Sequence, residues 1–469
     1  MRHFAISLAC AALCLPAAAA EAPDAGEDIA LEKAIDVALR QNRNLRVAEL
    51  SLDSARLSVQ GARADFGVRV TPGGSAESSD ASDTFQYGLT VEKDTTWGTE
   101  LSAGGSMSQT DAGGETNFHR ATMRLQVSQP LLRRLGPLVN REPVTQAESR
   151  EAAARREVEL RKTDLVVQVV ELYEELQKVQ RQVDFERQAL GRLERLLRLT
   201  EARERQGRSS RVDTLRVEQQ KGEAQIRLNQ VVEQRASVRG DFADLLGFPP
   251  EKVFRAVSGP MLTVDAPSAE EAVTVALANR LDYAQVLQDV RDAARGVRIA
   301  RRNLLPDLNL ISRYERAGEG GASSDAMDLN DDSWFVGLTV ESDLTRRAER
   351  VALGQAALGE ETAAETAGIV ESGVRRQVRQ ALATYERARS EIVFAERNLR
   401  LAQSRAALAR RLYEMGRGDN FSATDAENAL LQAQDSMLEA QAGASVAAYK
   451  LLRSLGTLIE YPDDLKPKG

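Results

Sequence analysis

The chain has 469 residues, with 62 Lys and Arg against 70 Asp and Glu, two His, two Cys and only 4% aromatics. A net charge of −8 argues against nucleic acid as a partner, and few aromatics among abundant Ala, Leu, Glu, Arg and Gln favour long helices over one large globular core. After the N-terminal stretch no apolar run approaches the roughly 20 residues of a transmembrane helix, so a membrane location would require strands.

Residues 1–20 combine a basic start at Arg2 and His3, an apolar stretch from Phe4 to Leu15 and alanines before Glu21, the layout of a secretory signal peptide. Cys10 and Cys14 both lie in it. The mature chain is then free of cysteine, keeps His119 as its histidine, and without Arg2 has 61 basic side chains against 70 acidic. Stability in an exported protein of this kind must come from packing and oligomerisation.

Beyond the leader the chain is written twice. Glu32–Leu39 lies over Glu270–Leu277 at an offset of 238, and a second register, at 209, sets Gly207 and Arg208 on Gly416 and Arg417, Glu218 on Glu427, and Gly247 on Gly456. The predicted organisation is a helix, strands, long helix and helix repeat over 21–247, with strands within about 68–128. A linker over 248–267 follows, then a second repeat over 268–456, with strands within about 307–343, and a tail over 457–469. The two offsets differ by 29 residues, which is extra length in the first strand region, either barrel strands or an extracellular hairpin.

Within 68–128 the apolar period is two. Phe85, Tyr87, Leu89 and Val91 alternate with polar or small residues, as do Ala121, Met123, Leu125 and Val127; Thr99–Met107 is a weaker strand candidate. Leu308, Leu310 and Tyr314, then Trp334, Val336, Leu338 and Val340, repeat this in the second half. Turns are expected at Gly73–Asp83, Asp111–Thr116 and Ala317–Asp332. Each strand is about nine residues or a little more and carries aromatics, as an outer-membrane strand does. A soluble sheet with one buried face fits the period equally.

From about Glu142 to Gln206 the period becomes 3.5. Leu165, Val169, Leu172, Leu176, Val179 and Val183 continue through Glu186 to Leu190, Leu193 and Leu197, and the same seam recurs at Val374–Ala406, richer in alanine. A heptad held this long specifies coiled-coil packing, and such a helix would extend about 95 Å. Four to six strands from one chain cannot close a conducting barrel, and open edges cannot sit in lipid, so closure requires several subunits.

The twofold unit, the Gln129–Leu132 strand ending, the Leu304–Pro306 strand entry and the paired glycine turns resemble the TolC-like outer-membrane efflux proteins across essentially the whole mature chain. The resemblance implies a mainly α fold with a membrane β-barrel: a trimer with long antiparallel coiled-coil helices forming a periplasmic tunnel and four to six strands per subunit. It implies a passive exit duct of a tripartite efflux or type I secretion system, working with a periplasmic adaptor and an inner-membrane transporter. By the same resemblance the hairpin tips, Glu204–Asp213 and Tyr413–Asp425, face the periplasm. Gly207, Arg208, Gly416 and Arg417 would dock the adaptor, while Asp213, Tyr413 and Asp425 fall on the gate, Asp213 bonding Tyr413. The family's gate arginine falls on Gly418, beside Arg417, and the second ring aspartate on Ser422. No catalytic, cofactor or metal constellation is present in the sequence. The acidic loop at Asp325, Asp328, Asp331 and Asp332 reads as solvated. The alternative to a channel is a soluble periplasmic coiled-coil adaptor or scaffold.

Overall fold

The computed structural model describes residues 26–79, 82–111, 118–259, 261–265 and 267–467. The expected signal peptide, with Cys10 and Cys14, lies outside them, as does most of the expected turn at Asp111–Thr116. In chain order the elements are β1 (Glu27–Ile29), α1 (Leu31–Gln41), α2 (Arg43–Ala64), β2 (Val68–Ser78), β3 (Asp83–Asp94), β4 (Glu100–Asp111), β5 (Phe118–Pro130), α3 (Pro137–Asn140), α4 (Glu142–Arg205), α5 (Arg211–Leu245), β6 (Phe254–Ala256), α6 (Ala269–Asn279), α7 (Leu281–Arg302), β7 (Asp307–Gly320), α8 (Ser323–Ala326), β8 (Asp331–Glu341), α9 (Arg347–Glu414) and α10 (Asn420–Leu455).

The halves match helix for helix. Both α1 and α6 have 11 residues, α2 and α7 have 22, α4 and α9 have 64 and 68, and α5 and α10 have 35 and 36. The paired glycines explain themselves at the helix ends. Gly207, Gly247, Gly416 and Gly456 all have φ between +71° and +86°, and the amide after each reaches back five residues: Arg208 to Arg203, Phe248 to Ala243, Arg417 to Leu412, and Thr457 to Leu452, at 2.8–3.0 Å. This left-handed closure satisfies orphan carbonyls and costs glycine nothing.

The chain divides into two compact units, each drawn from both halves. One holds the described residues up to Ala38, Val169–Pro260 and Asn398–Ala442. In it β1 and β6 pair in parallel, over an aromatic cluster of Tyr173, Phe242 and Phe254 with ring centroids 6.0–6.1 Å apart. The Tyr173 hydroxyl lies 3.0 Å from the Ile29 carbonyl and 2.6 Å from that of Val257. Val169, Leu176, Val179, Val183 and Leu193 are buried as the heptad predicts. Leu172 is a correction: Tyr173 is the fully buried residue there, and Leu172 only partly. A straight helix has 3.6 residues per turn, so its buried line drifts about 20° per heptad and passes from one column to the next. On α9 and α10 the facing cluster is Ala402, Ala406, Ala426, Leu430 and Ala433.

The second unit comprises Leu39–Gln168, Met261–Arg397 and Gly443 onward. Its helices bury Val374, Val378, Leu382 and Tyr385 of α9 against Ala272, Val273 and Ala276 of α6 and Ala444–Leu455 of α10. The tail folds back, burying Tyr461 and Leu465 beside Leu281. The same unit carries a six-stranded antiparallel sheet in the order β2-β3-β4-β5-β7-β8. The weak candidate at Thr99–Met107 is β4, a full central strand. Two expected turns are shorter than composition indicated: Gly73–Ser78 continues β2, and Ala317–Gly320 continues β7. The ladder's own bonds come from the backbone, whatever the side chain, and small residues let neighbouring strands approach. A Cβ on Gly88 would sit 2.7 Å from the Gly105 carbonyl.

Candidate functional site

The first candidate surface is the pair of hairpin tips in the first unit. Arg208 and Arg417, beside the turn glycines, are exposed. Ser210 caps α5: its hydroxyl accepts from the Asp213 amide (3.2 Å), and the Asp213 carboxylate accepts from the Ser210 amide (3.2 Å) and hydroxyl (2.8 Å). The Ser210 hydroxyl above all, then its amide, the Ser209 hydroxyl and Arg216, hold Asp213 below the ordinary carboxylate range. The carboxylate is thus ionised and bonded to its own helix start, with part of its surface still open to solvent.

Tyr413 is 4% exposed and points elsewhere. Its hydroxyl lies 2.9 Å from Thr200 Oγ1, and the Arg203 guanidinium stacks 4.4 Å from the ring centroid. Arg203 Nη2 also donates to the carbonyls of Tyr413 (2.7 Å) and Glu414 (3.1 Å), at the end of α9 where a cation is favoured. Within the protomer the expected Asp213 to Tyr413 hydrogen bond is therefore not formed. Thr200 and Arg203 on α4 are the partners that sequence reasoning missed. The available signal was a threonine three residues beyond Leu197, on the same apolar seam, with an arginine three residues on.

Asn420 Nδ2 donates to the Asp213 carbonyl (3.1 Å), tying the start of α10 to α5. Asp425 is paired with Arg405 of α9, so its charge is partly answered in its own subunit. Glu427 is held by Arg410 and by Arg192 at 2.6 Å. Arg192, Leu196, Leu199, Arg410, Tyr413 and Glu427 line a cavity of about 110 Å³. Deeper in this unit Glu186, 6% exposed, lies 3.5 Å from Arg227. Burial pushes its pKa up, with Asp435 adding to the shift and Arg227 and Arg192 opposing it.

The second surface is the sheet, whose two faces differ completely. One carries Val70, Tyr87, Leu89, Leu125, Trp334 and Leu338, all exposed; Trp334, at 77%, is the extreme. The other carries Thr71, Gln86, Thr90, Ser102, Ser106 and Thr122 around a hollow of about 850 Å³. There Arg120 pairs with Glu319 at 3.3 Å and Arg124 with Glu315 at 2.9 Å. A soluble sheet would bury the apolar face; an outer-membrane barrel strand turns it to lipid. Among the described residues no helix is long and apolar enough to cross a membrane, and no three His, Cys, Asp or Glu side chains converge as a metal site.

Residues 34–247 and 272–457, most of the chain, match the family described as outer membrane efflux protein. The chain belongs to that family. This outer membrane efflux protein is an exit duct for efflux across the outer membrane. No curated protein matches it. Among solved structures, the outer-membrane channel OprN shares its fold at a TM-score of 0.71 and 20% identity, over 91% of this chain and 89% of that one. The outer membrane protein VceC from Vibrio cholerae does so at 0.70 and 17%, over 91% and 96%. The Campylobacter jejuni CmeC outer membrane channel does so at 0.71 and 15%, over 92% and 86%.

Proposed function

We propose that this efflux protein works as a homotrimer, a passive conduit that catalyses no reaction and draws its energy from an inner-membrane transporter linked to it by a periplasmic adaptor. The observation that carries the reading is the sheet: an exposed apolar face and two unpaired edges are stable in lipid only if further strands complete the ladder. In this reading the long helices of three copies line a periplasmic tunnel. The tip residues Gly207, Arg208, Gly416 and Arg417 meet the adaptor, and Asp213, Tyr413 and Asp425 belong to the entrance that opens when it docks. The Tyr413 cluster supports a closure made in two layers. Thr200 and Arg203 hold the α9 tip to its own α4, while Asp213 and Asp425, both partly exposed, remain available to neighbouring subunits. The soluble adaptor alternative loses its ground to the family match and to the two-faced sheet.

Membrane fractionation followed by native mass spectrometry of the detergent-extracted mature protein tests this. An outer-membrane trimer is expected. A soluble periplasmic monomer would overturn the conduit.

A further inference from the structure

The first half contributes four strands to the sheet and the second half two. All five neighbouring pairs are antiparallel, so the two edge strands, β2 and β8, run in opposite directions. Each presents 11 residues whose outer backbone groups lack a ladder partner within the sheet. A β2 from a second copy set beside β8 would continue the same up-and-down order. We propose that three copies close edge to edge, β8 of each against β2 of the next, into one eighteen-stranded barrel with six strands per copy. This rests on the trimeric conduit reading above.

The alternative is a twelve-stranded barrel in which two strands of the first half form a hairpin outside the wall. Three observations favour the full set. The six strands are of nearly equal length, 11, 12, 12, 13, 14 and 11 residues, and the ladder between β2 and β3 runs unbroken from Val68 with Lys93 to Ser78 with Asp83.

The turn between β3 and β4 is also built into the rim where the strands meet the helices. The Gly136 amide donates to the Trp97 carbonyl (3.1 Å), and Thr99 Oγ1 donates to Gln129 Oε1 (2.5 Å). A Cβ on Gly98 would lie 2.7 Å from both the Arg134 carbonyl and Asn140 Nδ2. An accessory hairpin at the far end would not reach this junction. Finally, the two faces stay in phase across all six strands. Val70 and Tyr87 share the apolar face with Leu125 and Trp334, whereas Thr71 and Gln86 share the polar face with Thr122 and Gln126. Lipid on one side of every strand accounts for that phase.

With strands about 4.8 Å apart and tilted about 40°, eighteen strands place opposite backbones about 36 Å apart, against about 24 Å for twelve. The lumen cross-section then grows by roughly twofold. The added wall on β2, β3 and β4 is lined by Thr71, Gly73, Ser75, Gly88, Ser102 and Gly104, which take up little of that width. The membrane exit is therefore not the constriction, and discrimination between cargoes falls to the hairpin tips.

Cysteine pairs test the edges in native outer membranes. One cysteine is placed on the polar face of β2 (Thr71→Cys or Ser75→Cys) and one on that of β8 (Ser333→Cys or Thr339→Cys), in all four combinations. Oxidation is expected to give a covalent trimer, reversed by reductant, for at least one combination. Electron cryomicroscopy of the unmodified trimer counts the strands directly, with eighteen expected. A trimer with twelve wall strands, or one that none of the four pairs cross-links, overturns the eighteen-stranded barrel and leaves the trimeric conduit standing. A chain that does not form trimers overturns both.

Discussion

Arg203→Ala isolates the cluster that holds the α9 tip. The guanidinium donates to two carbonyls at the end of α9 and covers the Tyr413 ring. A hydrogen bond to a charged group contributes about 1.5–3 kcal/mol net, and a partly solvated cation–π contact about 0.5–1 kcal/mol. Water replaces part of both once the side chain is gone. A loss of about 2 kcal/mol is therefore reasonable, which shifts the balance between held and released tips by about 30-fold in each subunit. The assay is single-channel recording of the trimer in planar bilayers, where the fraction of time spent in high-conductance states should rise. Arg203→Lys, which keeps the charge and loses the planar fork, should fall between. A thermal melt controls for global damage, because Arg203 lies near a helix end and away from the aromatic core. If Arg203→Ala conducts like the unmodified channel while its melt shows the local loss, the tip is not held by this cluster and the two-layer closure is wrong.

Glu186→Gln should stabilise the protein at neutral pH, because burial raises the pKa of Glu186 and its ionised form is the one penalised. The groups facing it are Arg227 on α5, Asp435 on α10 and Arg192 on its own helix. The native state binds this proton more tightly than the unfolded chain, so the penalty is absent below the ordinary glutamate range and grows as pH rises through the elevated value. The advantage of the glutamine should therefore vanish in denaturant titrations near pH 4; an advantage that persists there would refute the assignment. Gly416→Ala meets no neighbour but forces a side chain onto φ +74°, and should cost about 1 kcal/mol in a thermal melt. Gly98→Ala adds steric overlap with Arg134, Asn140 and Pro130 to φ +89°, so it should cost distinctly more and lower the yield of assembled protein. Equal losses at the two sites would refute the close packing of the β3–β4 turn. Tyr173→Phe removes the hydroxyl that serves Ile29 and Val257, and should lower stability by about 1 kcal/mol in denaturant melts.

Much of this protein is written in local pattern. The 3.5-residue seam, the alternation in the strands and the glycines at helix ends act through neighbours one to seven residues apart, so the helices, the two-faced strands and the repeated turns can be read without coordinates. Alternation failed where composition misled it. Gly73–Ser78 and Thr99–Met107 look like turn and weak strand, yet they are held in the sheet by ladders whose bonds belong to the backbone and are blind to side chain. The order of the six strands, the anchoring of the β3–β4 turn and the burial of Tyr173 in place of Leu172 each depend on partners far away in the chain. The same holds at the tips. The family resemblance puts Asp213 and Tyr413 at the gate, but a position in a motif says nothing about which way a side chain turns. Ser210 claims the aspartate from within the same turn, whereas only the packed helices reveal that Thr200 and Arg203 claim the tyrosine. A capping bond forms within one turn and is legible in sequence; a contact between two long helices depends on their relative rotation, which only tertiary packing sets.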